Sequence, residues 1–187
     1  MPITTFCFEK QVSVPRNIRA SLRASKLTLE GPLGEVNMYT KLYDKNGVYS
    51  MKLCFRNKGQ ELHLRTCGFK GLPLLQALIS LVNQYLEGLT KGFLLPLELV
   101  GVGIRAGFVN DRLELRLGYS HPVYPVLPGD VQVFVPQPNL IYLFGISKKR
   151  LAQVAAVLKA AKPVEPYKGK GILLRGSANL RKTGKKG

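Results

Sequence analysis

Between residues 25 and 67 apolar and polar positions alternate with a period of two, the signature of strands with one buried face. Leu27 and Leu29 begin the alternation, Gly31-Pro32-Leu33-Gly34 has turn chemistry, and Val36, Met38 and Thr40 resume it. Asp44-Lys45-Asn46-Gly47 is a strong hairpin signal, because Asn-Gly accepts the left-handed backbone that a two-residue turn requires. Tyr49, Met51, Leu53 and Phe55 alternate again, and Asn57-Lys58-Gly59 turns the chain into Leu62-His63-Leu64. Then the period changes. Leu74, Leu75, Leu78, Leu81, Val82, Tyr85 and Leu86 fall on one helical face, with Pro73 at its start and Gly88 at its end.

The second half follows the same scheme. Residues 94–106, 112–117, 131–135 and 140–144 read as strands. Leu151, Val154, Ala155, Leu158 and Ala161 form a helical stripe that Ser147 can cap and Pro163 stops. Leu64, Gly68 and Gln76 precede Ile141, Gly145 and Gln153 by 77 positions, and Leu27 and Leu29 precede Leu113 and Leu115 by 86. These correspondences predict an α+β protein of two tandem duplicated domains, each an antiparallel sheet covered by one helix. The domains are expected at residues 1–90 and 91–165, with the boundary near Leu89 to Gly92 and a basic extension over 166–187.

Charge narrows the function. Lys and Arg number 28 against 11 Asp and Glu, a formal charge of +17. Self-repulsion of that size works against compaction, and a polyanionic partner is the usual reason to tolerate it. Nucleic acid is the leading class, ahead of an anionic membrane surface or an acidic protein. No stretch approaches the ~20 apolar residues that span a bilayer, since residues 93–104 are interrupted by Pro96 and Glu98. No secretory signal is expected. Arg16, Arg19 and Arg23 are spaced like an Arg-rich presequence, but Pro15 interrupts the pattern and a strand-like segment follows at Lys26. Cys7, Cys54 and Cys67 form no CxxC pair, which points away from a disulfide framework or zinc site.

Leu99-Val100-Gly101-Val102-Gly103-Ile104-Arg105-Ala106 matches a strand followed by GxGxxA, the loop of a dinucleotide fold. A helix should follow such a loop. Instead Gly107, Asn110 and Asp111 have turn chemistry and Leu113-Glu114-Leu115 alternates as a strand. A small enzyme using this glycine loop on a nucleotide cofactor is therefore the minor alternative, and no cofactor is expected. His63 lies in an alternating strand and His121 in a turn before Pro122. Neither has a Cys, Asp or Glu at ligand spacing, and Ser120 beside His121 does not make a triad, so no catalytic or metal site is expected.

The basic residues carry more. Lys148, Lys149 and Arg150 occupy the first turn of the second helix, where the helix dipole disfavours cations. Either an external anion gathers them or they form a solvated patch. From Pro166 to Gly187 there are seven Lys or Arg and no acid. Tyr167-Lys168-Gly169-Lys170-Gly171 sets a ring beside alternating cations and glycines. Glycine admits close approach of a sugar-phosphate chain, lysine neutralises phosphate, and tyrosine stacks or donates a hydrogen bond. The alternative is a disordered solubilising tail, against which the apolar Ile172-Leu173-Leu174 argues.

Pro166-Tyr167-Lys168-Gly169-Lys170-Gly171-Ile172 resembles the signature of the ribosomal large-subunit protein six family in its bacterial and organellar form. Leu99-Val100-Gly101-Val102-Gly103, Arg105-Ala106 and Leu117-Gly118-Tyr119-Ser120-His121-Pro122-Val123 resemble the family's second-domain segments in order. Gly31-Pro32-Leu33-Gly34 and the helix ending near Glu87-Gly88 extend the resemblance more loosely over the first half. The resemblance implies two duplicated domains bound near the sarcin–ricin loop and stalk base of the large ribosomal subunit. It also implies a site nearby where translational GTPases dock. The implied partners are large-subunit rRNA and neighbouring ribosomal proteins, without a membrane. The expected RNA-facing residues are Tyr167, Lys168, Gly169, Lys170 and Gly171, then Arg175, Lys148, Lys149 and Arg150, with Arg105 and His121. Ile104, where the family commonly has an aromatic, and an amino-terminal segment without the usual basic opening point to a diverged lineage. The mitochondrial matrix is the expected location, with a bacterial cytoplasm as the alternative.

If phosphates dominate binding, affinity for rRNA should fall by about three orders of magnitude over a fourfold rise in salt for six contacts. Filter binding across that range checks this, and a flat affinity would remove the electrostatic argument.

Overall fold

The computed structural model describes residues 7–23, 26–39, 49–56, 59–67, 71–177 and 182–183, which fall into two units, Met1–Gly92 and Phe93–Gly187. Among the described residues of the first, six strands precede one helix: β1 (Cys7–Val14), β2 (Arg19–Arg23), β3 (Lys26–Gly31), β4 (Gly34–Tyr39), β5 (Tyr49–Arg56), β6 (Gly59–Cys67) and α1 (Leu72–Thr90). They form two antiparallel sheets of order β1-β6-β5 and β2-β3-β4. The alternation sets the faces. Ala20, Leu27, Leu29 and Met38 are buried, while Arg19, Arg23, Glu30 and Asn37 on the opposite face are exposed. Leu75, Leu78, Val82, Leu86 and Leu89 form the buried stripe of α1, which packs against β1, β3, β4 and β6.

The second unit contains β7 (Phe93–Val100), β8 (Arg105–Val109), β9 (Arg112–Arg116), β10 (Val131–Gln137), β11 (Leu140–Gly145), α2 (Lys148–Ala161) and β12 (Gly171–Leu174). Its main sheet has the order β10-β11-β7-β12, and β8 and β9 make a two-stranded ribbon. Leu151, Val154, Ala155 and Leu158 of α2 join Leu97, Leu99, Ile141, Leu143 and Ile172 of the sheet in one core. No helix among the described residues is long and apolar enough to cross a membrane.

The protein is thus α+β with duplicated units. Order β1-β6-β5 in one unit is matched by β7-β11-β10 in the other. Ala20, Leu27 and Leu29 precede Ala106, Leu113 and Leu115 by 86 positions, and all six are buried. On the helices the buried residues Leu75, Leu78 and Val82 precede Leu151, Val154 and Leu158 by 76, one fewer than Gln76 and Gln153 imply. Gly68, the other glycine of the expected correspondence, lies outside the described residues.

Two local expectations change. The stretch 94–106 is two strands, not one, because the chain turns at Gly101 to Ile104, where Ile104 N–H donates to Gly101 O at 3.3 Å. The Asn46-Gly47 hairpin signal lies outside the described residues; of the strands flanking it, β4 pairs with β3 and β5 with β6. Helix α1 runs past Gly88 to Thr90, whose Oγ1 donates to Leu86 O at 2.9 Å.

The largest change is at the carboxyl end. Gly171 to Leu174, within the stretch that composition sets apart as a basic extension, is β12. It pairs antiparallel with β7, Gly171 opposite Val100 and Leu174 opposite Leu97. Ile172 is fully buried in the core. Replacing Ile172 by Ala should therefore destabilise the second unit by about 2–5 kcal/mol, read from denaturant unfolding of the full chain. A disordered tail would show no change.

Candidate nucleic-acid interface

Between α2 and β12 the chain folds back on itself. Pro163 cannot continue the helix, and Ile172 N–H donates to Lys162 O at 3.0 Å, closing the base of a loop. Inside it Glu165 N–H donates to Lys170 O at 2.8 Å and Gly169 N–H to Glu165 O at 2.9 Å. The enclosed turn projects Tyr167, 57% exposed, with Lys168 and Lys170 exposed beside it. Lys182 N–H donates to Pro166 O at 3.0 Å from farther along the chain.

The glycines of this loop serve the protein itself. Gly169 has φ +69°, left-handed backbone that an L side chain adopts at a cost. Gly171 has φ +141°, and a Cβ there would lie 2.8 Å from both Pro163 O and Val164 Cα. Both are buried. The close approach expected between these glycines and a sugar-phosphate chain is, at Gly171, an approach of the chain to its own backbone. The cations remain on the outside.

Two more segments meet this loop. Tyr119 donates its hydroxyl to Ala161 O at 3.1 Å, tying the turn that carries His121 to the end of α2, and Lys162 Nζ sits 4.5 Å from the Tyr119 ring centroid. The turn before Arg105 approaches from the other side. Together Val102, Ile104, Tyr119, Lys162, Glu165 and Lys170 line a hollow of about 400 Å³. Arg105 follows the lining Ile104 and His121 lies two residues past Tyr119; both are exposed, and His121 Nδ1 is 3.5 Å from Ser120 Oγ. Sequence reasoning missed the Tyr119–Lys162 contact, for which only the helix stop at Pro163 was a signal.

The remaining candidates lie elsewhere in the unit. Lys148, Lys149 and Arg150 start α2, about 20 Å from its other end for 14 residues. Ser147 Oγ caps this helix by accepting from Arg150 N–H at 3.4 Å. The Arg150 guanidinium has protein partners, Asp130 Oδ2 at 3.2 Å and Gln153 Oε1 at 3.3 Å, so it is not gathered solely by an outside anion. Lys148 and Lys149 are exposed. Arg175, also exposed, follows β12, its N–H donating to Pro96 O at 3.1 Å. Among the described residues, no carboxylate lies within 4 Å of the charged groups of Lys148, Lys149, Lys168, Lys170, Arg105 or Arg175. In the other unit His63, on β6 and largely covered, has carboxylate neighbours, Glu9 Oε1 at 2.9 Å and Glu61 Oε2 at 3.5 Å.

The glycine-loop alternative does not survive. A dinucleotide loop presents a helix N-terminus to the pyrophosphate, whereas Gly101 to Ile104 lead directly into β8. A Cβ on Gly101 would meet Ile104 Cδ1 at 2.6 Å, so this glycine packs a turn.

A family model described as Ribosomal protein L6 matches residues 100–173, the stretch from the glycine turn through β12. The "Large ribosomal subunit protein uL6" of Thermotoga maritima is 33% identical over 179 residues, covering 95% of this chain and 97% of the relative. That of Bradyrhizobium sp. is 34% identical over 178 residues, with the same coverage. That of Janthinobacterium sp. is 36% identical over 165 residues, covering 86% of this chain and 87% of the relative.

Replacing Gly171 by Ala should lower the stability of the RNA-free protein by about 1–3 kcal/mol, from backbone strain and the contact with Pro163. Thermal unfolding measures it. An unchanged transition would mean that the protein does not require this glycine.

Proposed function

The chain belongs to the ribosomal protein L6 family, whose members are structural proteins of the large ribosomal subunit rather than a class of enzymes, and from that membership we propose how it holds rRNA. The loop between α2 and β12 is the principal contact. Tyr167, Lys168 and Lys170 face the RNA, while Gly169 and Gly171 shape the turn that presents them. Arg105 and His121, close in sequence to residues that line the adjoining hollow, extend the same surface. Lys148, Lys149 and Arg150 at the start of α2, and Arg175 after β12, reach separate phosphates. The observation that carries this reading is a cationic turn closed by its own backbone hydrogen bonds, with exposed lysines that no described carboxylate neutralises. A fixed turn loses little conformational entropy when a phosphate docks on it.

We further propose that the bound RNA lies near the sarcin–ricin loop and stalk base. There the protein would support the docking site of translational GTPases and touch neighbouring large-subunit proteins. Family resemblance supports this placement. Of the two locations expected from sequence, the bacterial cytoplasm is the one its bacterial relatives favour. Only Ile104 and the amino-terminal departure speak for the mitochondrial matrix.

Replacing both Lys168 and Lys170 by Ala should lower the slope of log affinity against log salt by about 1.4–1.8 for binding to deproteinised large-subunit rRNA. Thermal unfolding should stay unchanged, since both side chains are exposed. Parallel salt plots for the variant and its parent would contradict the role of this loop.

A further inference from the structure

Most glycines at close quarters in this fold have a reason within the chain: Gly101 and Gly171 each combine a positive φ with a neighbour that a Cβ would strike. Gly107 has none. It sits in the middle of β8 with no left-handed backbone, and a Cβ built on it would meet nothing within 4 Å. Glycine weakens a strand interior, where a β-branched residue would stabilise it. A glycine that the protein's own packing does not require marks a place where something else approaches the backbone.

Its surroundings indicate what. In the β8–β9 register Arg105 is opposite Arg116, Gly107 opposite Glu114 and Val109 opposite Arg112. These residues share one face of the ribbon, and the three arginines on it are exposed. Arg105 and Arg116 have Cα atoms only about 4.5–5.5 Å apart, and like charges directly opposed across strands are destabilising. Glu114, which is buried, holds Arg116 Nε at 2.8 Å and offsets part of that charge. It makes no described ion pair with Arg105 or Arg112. The duplicated ribbon β2–β3 shows what is particular to this copy. Eighty-six positions earlier, Ser21 stands where Gly107 does and Glu30 where Arg116 does, so that Arg19 faces an acid. The second copy has lost the side chain at the centre of the face, and its acid has moved from Glu30 to Glu114, where Thr28 stands in the first copy, while Val109 replaces Arg23, so that Arg105 is left facing an arginine.

We propose that this face of the β8–β9 ribbon is a further RNA contact. A sugar-phosphate backbone passes directly over Gly107, and its phosphates pair with Arg105 and Arg116 on one side and Arg112 on the other. The proposal rests on the rRNA-binding reading above but uses residues outside the α2–β12 loop. It explains the opposed arginines, which an RNA phosphate neutralises, and the empty position beside them, between that pair and Arg112.

The test is binding of the full-length protein to deproteinised large-subunit rRNA over a range of salt. Replacing Gly107 by Thr adds a residue that strands favour and changes no charge. The variant should melt at or above the parent's temperature, bind at least tenfold more weakly, and keep the parent's salt slope. Replacing Arg112 by Ala should lower the slope by about 0.7–0.9. Parent-like affinity for Gly107→Thr, or a parent-like slope for Arg112→Ala, overturns the ribbon contact. If the ribbon variants behave as the parent while the Lys168→Ala, Lys170→Ala protein is impaired, the loop stands and the ribbon falls; the opposite pattern upholds the ribbon and removes the loop. A parent protein without affinity for this RNA overturns both.

Discussion

The second unit depends on one crossing of the chain over itself. At Gly171 the backbone passes so close to Pro163 and Val164 that no side chain fits between them. That crossing lets Ile172 reach Lys162 with a hydrogen bond and continue as β12 beside β7. Ile172 can then fill the core between sheet and α2, and residues 163–170 are left as a short loop closed at both ends. Fold and binding surface are thus one construction. The buried strand at the loop's end anchors it, and the loop presents two lysines and a tyrosine that the core cannot use.

Duplication explains much of the remaining architecture. Each unit spreads apolar side chains over one face of its main sheet and covers them with a single helix, which is the least structure that buries such a sheet. Equivalent positions keep equivalent burial, as Ala20 and Ala106 or Leu78 and Val154 do. What differs is on the outside. The first unit backs its ribbon with a third strand, β4, while among the described residues the second has only the single bridge between Leu115 and Val123. Polar outward positions are free to diverge because they carry no core, and Ser21 against Gly107 and Glu30 against Arg116 are examples.

Sequence patterns were most informative where one local rule governed. The stripe Leu151, Val154, Ala155, Leu158, with Ser147 before it and Pro163 after it, specifies α2 without help from the rest of the chain. The strands β1 and β2 were not legible. Cys7 to Val14 puts Phe8, Val12 and Val14 on one face but interrupts it with Lys10, and its place in the sheet comes from pairing with β6. Residues 94–106 read as one long strand because the break at Gly101 to Ile104 lies among apolar residues. In the candidate interface the cations were evident from composition. The role of the glycines was not, since a residue that permits close approach does not say what approaches. At Gly171 it is the protein's own backbone; only the folded structure distinguishes that case from Gly107, where a side chain would meet nothing of the protein.

The chain builds its cationic turn before RNA arrives. Amide hydrogen exchange in the free protein tests this at two positions, Gly169 and Ile172, whose N–H groups donate to Glu165 O and Lys162 O. A preformed turn predicts exchange far slower than in an unstructured peptide at both amides without RNA, with Ile172 as slow as the core of β7. Exchange at the unstructured rate that slows only when rRNA is added would show that RNA orders the segment, and would contradict the claim.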